Sequence, residues 1–147
     1  MTVDQLLPVE TLALTMWGEA RGEPVEGQIA VGNVIMNRFL SNPKKYETVK
    51  GVCLERNQFS CWNSDDPNRA LILEVAEEFH HPIIKDAMLR QCRFLANGIM
   101  GGMLVDVTSN ALNYMTNKLF NGPHRPEWAR IPKDNPIIIG NHTFFTA

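Results

Sequence analysis

Cysteine is scarce in this sequence, and so are the local patterns that commonly hold a metal. The 147 residues include three cysteines, Cys53, Cys61 and Cys92, and such an odd, low count argues against a disulfide framework. Cys53 and Cys61 are near enough in sequence to pair, but we expect small buried thiols instead. No CxxC or HExxH segment occurs, so the sequence predicts neither a metal site nor a cofactor.

The sequence also has no large excess of charge of one sign and no long apolar run. The formal net charge is -2 and the basic residues are scattered, which argues against nucleic-acid binding. No stretch approaches the ~20 apolar residues that a membrane span requires, so we expect no stable membrane association. Residues 1–8 contain Asp4 and no basic side chain, unlike a secretory signal. We therefore expect a protein made in the cytosol, which either works there or is delivered outward by other means.

Strong helical patterns are present at the start of the chain. Residues 9–20 carry apolar side chains at helical spacing, on one face. Residues 25–40 are apolar almost all round, which predicts a central, buried helix. The polar exceptions Glu26, Asn33 and Asn37 form one narrow stripe. This stripe is either a wet edge or the lining of a cleft, and spacing leaves both interpretations open.

Three more helices and three strands are predicted farther along, from periodicity and from β-branched residues. The helices are residues 48–55, 68–79 and 82–100, and the strands are residues 104–108, 112–115 and 136–145. Helices followed by short strands indicate an α+β domain with a small antiparallel sheet, contributed mainly by the C-terminal third. Because there is no repeat or long linker, we expect residues 1–147 to form a single domain.

Glu19 is the strongest candidate for a catalytic residue in the chain. It falls in the last turn of the first predicted helix, beside Trp17. Partial burial and the negative end of the helix dipole both raise a carboxyl pKa, whereas Arg21 opposes them if its side chain points that way. A raised pKa suits general-acid catalysis on a sugar oxygen. The competing interpretation is a solvated glutamate at a helix end, which spacing alone favours.

A second carboxylate, which ordinary glycosidases require, is not selected by the sequence. Such enzymes place two carboxyl groups either ~5 or ~6.5–9.5 Å apart. The candidates are Glu23, Glu26, Asp65, Asp66 and Asp106. The turn at residues 22–24 separates the first two from Glu19, so their direction relative to Glu19 stays open.

Amides alternate with aromatics in residues 57–63, Asn-Gln-Phe-Ser-Cys-Trp-Asn. This pattern suits sugar recognition, because amides bond hydroxyl groups and ring faces cover the C–H surfaces of pyranoses. It suits a turn anchored by one buried aromatic equally well. In the C-terminal third, strand positions allow Asn113 and Tyr114 to reach a ligand. His142 has no obvious nucleophile nearby and is expected to be structural.

Four ordered segments carry a family resemblance. They are WGEARGEP at 17–24, EGQIAV at 26–31 with VIMNR at 34–38, QFSC at 58–61, and Thr108 with ALNY at 111–114, followed by WA at 128–129 and IGNHTF at 139–144. Together they resemble the cell-wall hydrolase family that includes the spore cortex-lytic enzymes of germination. The resemblance covers nearly the whole chain.

The resemblance implies a lysozyme-like α+β fold, peptidoglycan as substrate, and cleavage between MurNAc and GlcNAc as a lytic transglycosylase. It makes Glu19 the catalytic acid and then the base, so that no second carboxylate is required. Sugar contacts are expected from Gln58, Phe59, Ser60, Thr108, Asn113, Tyr114, Asn37 and Glu23. The residues beside Tyr114 and the final Phe144-Phe145 pair depart from the family pattern and leave the outer sugar subsites open.

Several alternatives remain at this point. A muramidase that uses water is the nearest, although the Asp and Thr of a phage-type lysozyme are replaced here by Gln28 and Val34. A zinc amidase, with ligands gathered from scattered His and Cys residues, and a non-catalytic glycan-binding module are weaker candidates. The lack of a recognisable signal or separate wall-binding module favours a monomeric phage endolysin, which reaches the wall when the host membrane is breached.

Overall fold

Helix α1 (Pro8–Ala20) lies at the centre of the computed structural model, which describes residues 1–130 and 135–147. Its side chains Leu12, Leu14 and Met16 are fully buried. It contacts α2 (Val25–Ser41), α3 (Val49–Cys53), α4 (Pro67–Ala76) and α5 (Ala87–Met100). The sequence predicted α2 as a central, buried helix, and its middle is fully buried at Ala30, Val31, Val34 and Ile35, whereas Val25 and Leu40 at its ends are exposed.

Aspartate side chains fix the starts of α4 and α5. Asp66 Oδ1 accepts a hydrogen bond from the backbone N of Asn68 (2.8 Å), and Asp86 Oδ1 accepts one from Leu89 N (2.8 Å). Such caps satisfy amide donors that the first turn of a helix leaves unpaired. The predicted helix 82–100 is therefore too long, because Asp86 caps the helix and residues 81–86 are irregular.

The predicted strand at residues 104–108 is wrong, because this segment is irregular. The carboxylate of Asp106 accepts hydrogen bonds from the backbone N of Thr108 (2.7 Å) and of Asn110 (3.1 Å). Ser109 and Asn110 adopt φ angles of 58° and 66°. A short acidic side chain that bonds the backbone ahead of it competes with a strand ladder, and here the turn prevails.

The sheet contains three antiparallel strands in the order β1-β3-β2: β1 (Asn113–Thr116), β2 (Ile137–Ile139) and β3 (His142–Phe145). The predicted strand 136–145 is thus a hairpin that turns at Gly140-Asn141, where Gly140 has φ +59°. A left-handed φ favours glycine, and a Gly-Asn pair between apolar runs is a common hairpin signal. Short α6 (Asn117–Phe120) follows β1. The mostly helical α+β fold with a small late sheet is confirmed.

The two faces of the sheet have different neighbours, because side chains alternate along a strand. Tyr114 and Phe144 are paired in register and pack on the main core with α1 and α2. Met115 and Phe145 face the other way, in a smaller apolar cluster with Phe120 and Ala129. Only the first of these faces is turned toward the end of α1 that bears Glu19.

The three cysteines are free and buried, which for Cys53 and Cys61 is what the sequence predicted. Burial raises the pKa of the Cys53 and Cys92 thiols to about 12. Within the described ranges, no helix has both the length and the apolar character needed to cross a bilayer.

Candidate active site

Glu19 lies in the last turn of α1, against the 3-10 turn Ser60–Trp62. The preceding residue permits this contact: a Cβ on Gly18 would lie 2.8 Å from Ile72 Cδ1 and 2.9 Å from Cys61 Cβ. Glutamate 19 accepts hydrogen bonds from the backbone N–H and the thiol of Cys61. The glycine therefore brings a buried turn against the helix and places two donors on the carboxyl group.

Burial raises the pKa of Glu19 above its ordinary value of 4.5. The two Cys61 donors lower it, the charge of Asp66 raises it, and His142 lowers it, but burial outweighs them. Arg21 was the sequence's candidate for opposing this rise. Its guanidinium instead lies 4.3 Å from the centroid of the Trp17 ring and donates to Asn68 Oδ1 (3.0 Å).

The aromatic residues of the 57–63 loop anchor it to the core. Phe59 is 2% exposed, and the Trp62 indole N–H donates to Thr15 Oγ1 (2.8 Å). Gln58 and Ser60 are exposed, and Gln58 Oε1 accepts from Arg38 Nη1 (3.1 Å). The structure therefore favours a supporting role for Phe59 over the sugar contact expected from sequence, and leaves Gln58 and Ser60 accessible.

A second group of polar residues holds the segment before β1. Asn37 donates from Nδ2 to Asp106 Oδ2 (2.8 Å) and to the backbone O of Ala111 (3.1 Å), and Asn33 Oδ1 accepts from Val107 N (3.0 Å). The stripe on α2 thus contains two loop anchors, while Glu26 is exposed.

Asp106 is the carboxylate at the middle of this network. Besides the two backbone donors, Thr108 Oγ1 donates to it at 2.7 Å, and the same hydroxyl accepts from Ala111 N (3.1 Å). Partial burial raises the pKa of Asp106, but the donors from Thr108, Asn37 and Asn110 together bring it below 3.8. Thr108 is 2% exposed, and its hydroxyl bonds Asp106 and Ala111. The structure therefore favours a structural role for Thr108 over the sugar contact predicted from the sequence.

Tyr114 is the strand residue that lies within electrostatic reach of Glu19. Burial raises the pKa of its hydroxyl well above the ordinary value of 10, and the charge of Glu19 raises it further. Asn113 is adjacent in β1, paired with Phe145, and projects to the opposite face of the sheet. The structure therefore brings Tyr114, and not Asn113, to the Glu19 side.

Glu23 is engaged by the β2–β3 turn. Its Oε1 lies 2.7 Å from His142 Nδ1, and the backbone N of Asn141 donates to the same oxygen at 3.1 Å. Sequence reasoning expected His142 to be structural but did not identify its partner Glu23, because the two residues are distant along the chain. It also missed Cys61 as a donor to Glu19, although this cysteine stands in the loop that the sequence singled out.

The assembled site thus consists of Glu19 with Cys61 and Tyr114, and with Asp66 and His142 nearby. In the part of the chain that the structure describes, no three His, Cys, Asp or Glu side chains are grouped so as to hold a metal ion. The arrangement offers one part-buried carboxyl group with a raised pKa, beside the exposed polar side chains of the 57–63 loop.

Comparison with known proteins gives a consistent result. Residues 22–145 match a family model described as cell wall hydrolase. A segment of 52 residues is 46% identical to the spore cortex-lytic enzymes of Oceanobacillus iheyensis and Bacillus subtilis. The aligned segment covers 35% of this chain, but only 18% and 17% of those two enzymes.

Two solved structures resemble nearly the whole fold. The catalytic domain of the germination-specific lytic transglycosylase SleB from Bacillus anthracis superimposes with a TM-score of 0.62 at 26% identity, covering 95% of this chain and 93% of that domain. The catalytic domain of the Bacillus cereus SleB protein gives 0.60 at 27% identity, with coverages of 95% and 89%. These similarities confirm the lysozyme-like α+β fold that the sequence resemblance implied.

Proposed function

Because this chain belongs to the cell wall hydrolase family, we propose that it cleaves the glycan strands of peptidoglycan between MurNAc and GlcNAc, as a lytic transglycosylase. The observation that carries the proposal is the environment of Glu19. Burial favours the protonated form of this carboxyl group, as general-acid catalysis requires, and the exposed side chains of Gln58 and Ser60 lie in the loop that packs against it. The lytic transglycosylase activity of the SleB domain from Bacillus anthracis supports it.

In the first step, the Glu19 carboxyl group transfers its proton to the bridging oxygen while the bond from MurNAc C1 to that oxygen breaks. Positive charge develops on the sugar ring in an oxocarbenium-like transition state. In the second step, the Glu19 carboxylate accepts the proton of the MurNAc C6 hydroxyl while O6 bonds to C1. The product is a 1,6-anhydro end, and Glu19 regains its proton without consumption of water.

The two Cys61 donors fit both steps. Hydrogen bonds to a carboxylate favour its charged form, so they moderate the rise in pKa that burial causes. The group is then able both to give a proton and to take one back. We expect the rate to fall as pH rises through the raised pKa of Glu19, because the acid form required for the first step is lost.

We propose direct sugar contacts for Gln58, Ser60 and Tyr114, which border Glu19 from the loop and from β1. The buried Phe59 ring anchors the 57–63 loop, and Thr108 and Asn37 hold the segment before β1 through their bonds with Asp106 and Ala111. Asn113 is on the other face of the sheet, so its contact with a sugar stays a prediction.

Hydrolysis by water is the second candidate, and one observation favours it. The charge of Asp66 raises the pKa of Glu19, which places this carboxylate within electrostatic reach of the acid. A muramidase would use such a group to activate water or to stabilise the sugar cation. Asp66 Oδ1 also caps α4, which ties it to a structural task.

The deciding experiment is mass spectrometry of the products from purified peptidoglycan, with wild type, Glu19→Gln and the exposed-carboxylate control Glu47→Gln. We expect 1,6-anhydro-MurNAc ends from wild type and from the control. Glu19→Gln keeps the shape but loses the titrating proton, so we expect a rate at least ~100-fold lower with binding to sacculi retained. Reducing MurNAc ends that disappear in Asp66→Asn would establish the muramidase instead. Undiminished cutting by Glu19→Gln would end the proposal.

The endolysin role stays a prediction. It has a direct test in bacteria that express the chain in the cytoplasm. We expect the culture to keep its turbidity until the inner membrane is permeabilised with chloroform, and then to clear. Clearing without permeabilisation would contradict this route to the wall.

A further inference from the structure

Glu23 has an environment that suits a structural anchor and not a ligand contact. Its side chain is 7% exposed and lies in the connection between α1 and α2. Oε1 accepts from His142 Nδ1 (2.7 Å) and from the backbone N of Asn141 (3.1 Å), and Oε2 accepts from Asn141 Nδ2 (3.2 Å). A carboxylate this buried requires such donors to offset its desolvation, and all three come from the β2–β3 hairpin.

The hairpin turn is shaped to receive this carboxylate. A Cβ at Gly140 would lie 3.1 Å from Glu23 Oε2 and 3.2 Å from Pro24 Cδ. On its other side the turn is held by Asn117, whose Nδ2 donates to the backbone O of Gly140 (3.1 Å) and whose backbone N donates to Asn141 O (2.8 Å). The position of His142 is therefore fixed from two directions.

The ring of His142 packs against the ring of Tyr114, so the position of His142 affects that of Tyr114. The two rings meet edge to face, with centroids 5.3 Å apart and an interplanar angle of 89°. Tyr114 also stacks on Phe144 at 5.4 Å and 30°. Because a carboxylate only accepts hydrogen bonds, the proton lies on His142 Nδ1, and this bond fixes which edge of the imidazole faces Tyr114.

We propose that Glu23 and His142 form a positioning pair, which sets the orientation of the Tyr114 ring beside Glu19. The inference rests on the proposed function for its catalytic consequence, but not for its structural part. It replaces the direct sugar contact expected of Glu23 from the sequence. It also gives His142 a task that neither its sequence context nor the family similarity assigns.

The first measurement does not depend on activity. The chain has two tyrosines, and Tyr46 bonds Glu55 in another part of the molecule. In protein labelled with ¹³C-tyrosine, we expect Glu23→Ala and His142→Phe to move the Tyr114 ring resonances and leave those of Tyr46 in place. Glu23→Gln keeps the shape and one oxygen that accepts from His142 Nδ1 and Asn141 N, so we expect its Tyr114 resonances to match those of wild type. Unmoved Tyr114 resonances in Glu23→Ala and His142→Phe would overturn the pair.

The second measurement is the initial rate on soluble glycan strands at a series of concentrations. A sugar contact next to the acid aligns the scissile bond with Glu19, so its misplacement lowers kcat, and we expect a loss of about tenfold to a hundredfold in Glu23→Ala and His142→Phe with KM nearly unchanged. Because both act through one contact, the double variant should be no slower than the slower single. Glu127→Ala, which removes an exposed carboxylate paired with Arg130, is the matched control.

The outcomes separate the two proposals. A raised KM with unchanged kcat and unmoved Tyr114 resonances would make Glu23 a sugar ligand and overturn the pair. Moved resonances with wild-type kcat would overturn its catalytic consequence. Inactivity of the wild-type chain on peptidoglycan would refute the proposed function, while the resonances still decide the pair. If Glu23→Ala does not fold, His142→Phe, which keeps a ring at this position, carries both measurements.

Discussion

Glu19 and Asp106 are two part-buried carboxyl groups, one in the last turn of α1 and the other in the irregular segment before β1, and their surroundings shift their pKa values in opposite directions. Asp106 receives four donors, from Asn37, Thr108 and Asn110, which bring its pKa below the ordinary value although burial raises it. Glu19 receives donors from one residue, Cys61, and burial prevails. Asp106 has more donors than Glu19 and is less deeply buried, and both differences separate an anchor from an acid.

The difference shows how one small fold supports two tasks for the same functional group. A carboxylate saturated with donors holds its charge and orders the chain around it. A carboxyl group with few donors keeps a proton available for transfer, at a cost in stability when it ionises. The following predictions test this contrast, from the largest expected effect to the smallest.

The largest effect on stability is expected from Asp106→Asn. Hydrogen bonds to charged groups contribute about 1.5–3 kcal/mol each, and an amide keeps only part of the network, so we expect the free energy of unfolding to fall by about 2–3 kcal/mol at neutral pH. The folded pKa of Asp106 is lowered, so its contribution exists above pH 3.8 and is lost as pH falls through the folded pKa. Urea unfolding at a series of pH values measures this. An unchanged midpoint at pH 7 would contradict it.

Asn37→Ala should have a smaller effect in the same direction. It removes the Nδ2 bonds to Asp106 and Ala111, which we expect to cost about 1–2 kcal/mol of unfolding free energy. Because Asn37 and Asp106 share a bond, the double variant should lose less than the sum of the singles. Strict additivity would show that the network does not act as one unit. Asn97→Ala, at an exposed site on α5, is the control.

Glu19→Gln should shift stability the other way. The folded pKa of Glu19 is raised, so wild type loses stability as pH rises from about 4.5 to the folded pKa and no further beyond it. The glutamine variant escapes this loss and should melt higher at neutral pH, by roughly 2–4 °C for each kcal/mol regained. Calorimetry at pH 4 and pH 7 checks this. A variant that melts lower than wild type at pH 7 would contradict it.

The smallest effect is expected at the thiols. The burial that raises the pKa of Glu19 also raises the pKa of the Cys61 thiol, and thiolates are the reactive form. We expect no alkylation of native protein by iodoacetamide at pH 8, and three additions in denaturant, by intact mass. Native alkylation at Cys61 would show that the turn against Glu19 opens, and the contrast with Asp106 would weaken.

The sequence located the five longer helices, although the helix predicted at 82–100 begins too early, and it singled out Glu19, whose catalytic role stays a prediction. Helical periodicity locates α1, and the family segment around Glu19 lies at its end, so local pattern and local chemistry coincide there. The prediction of a strand at 104–108 was wrong because it rests on β-branched residues alone. The Asp106 side chain accepts hydrogen bonds from the backbone N–H groups two and four residues ahead, and this favours a turn. The Glu23–His142 contact spans nearly the whole chain, and no local signal reports such a pairing.

The tight fit of Gly18 against Cys61 and Ile72 has a consequence for how the protein responds to mild perturbation. The raised pKa of Glu19 depends on the Ser60–Trp62 turn, which keeps water from one side of its carboxyl group. If that turn loosens before the rest of the molecule unfolds, the pKa of Glu19 falls toward its ordinary value. The alkaline limb of the pH–rate profile therefore reports whether the Ser60–Trp62 turn is closed. We expect this limb to move to lower pH in low urea concentrations that leave the helices intact.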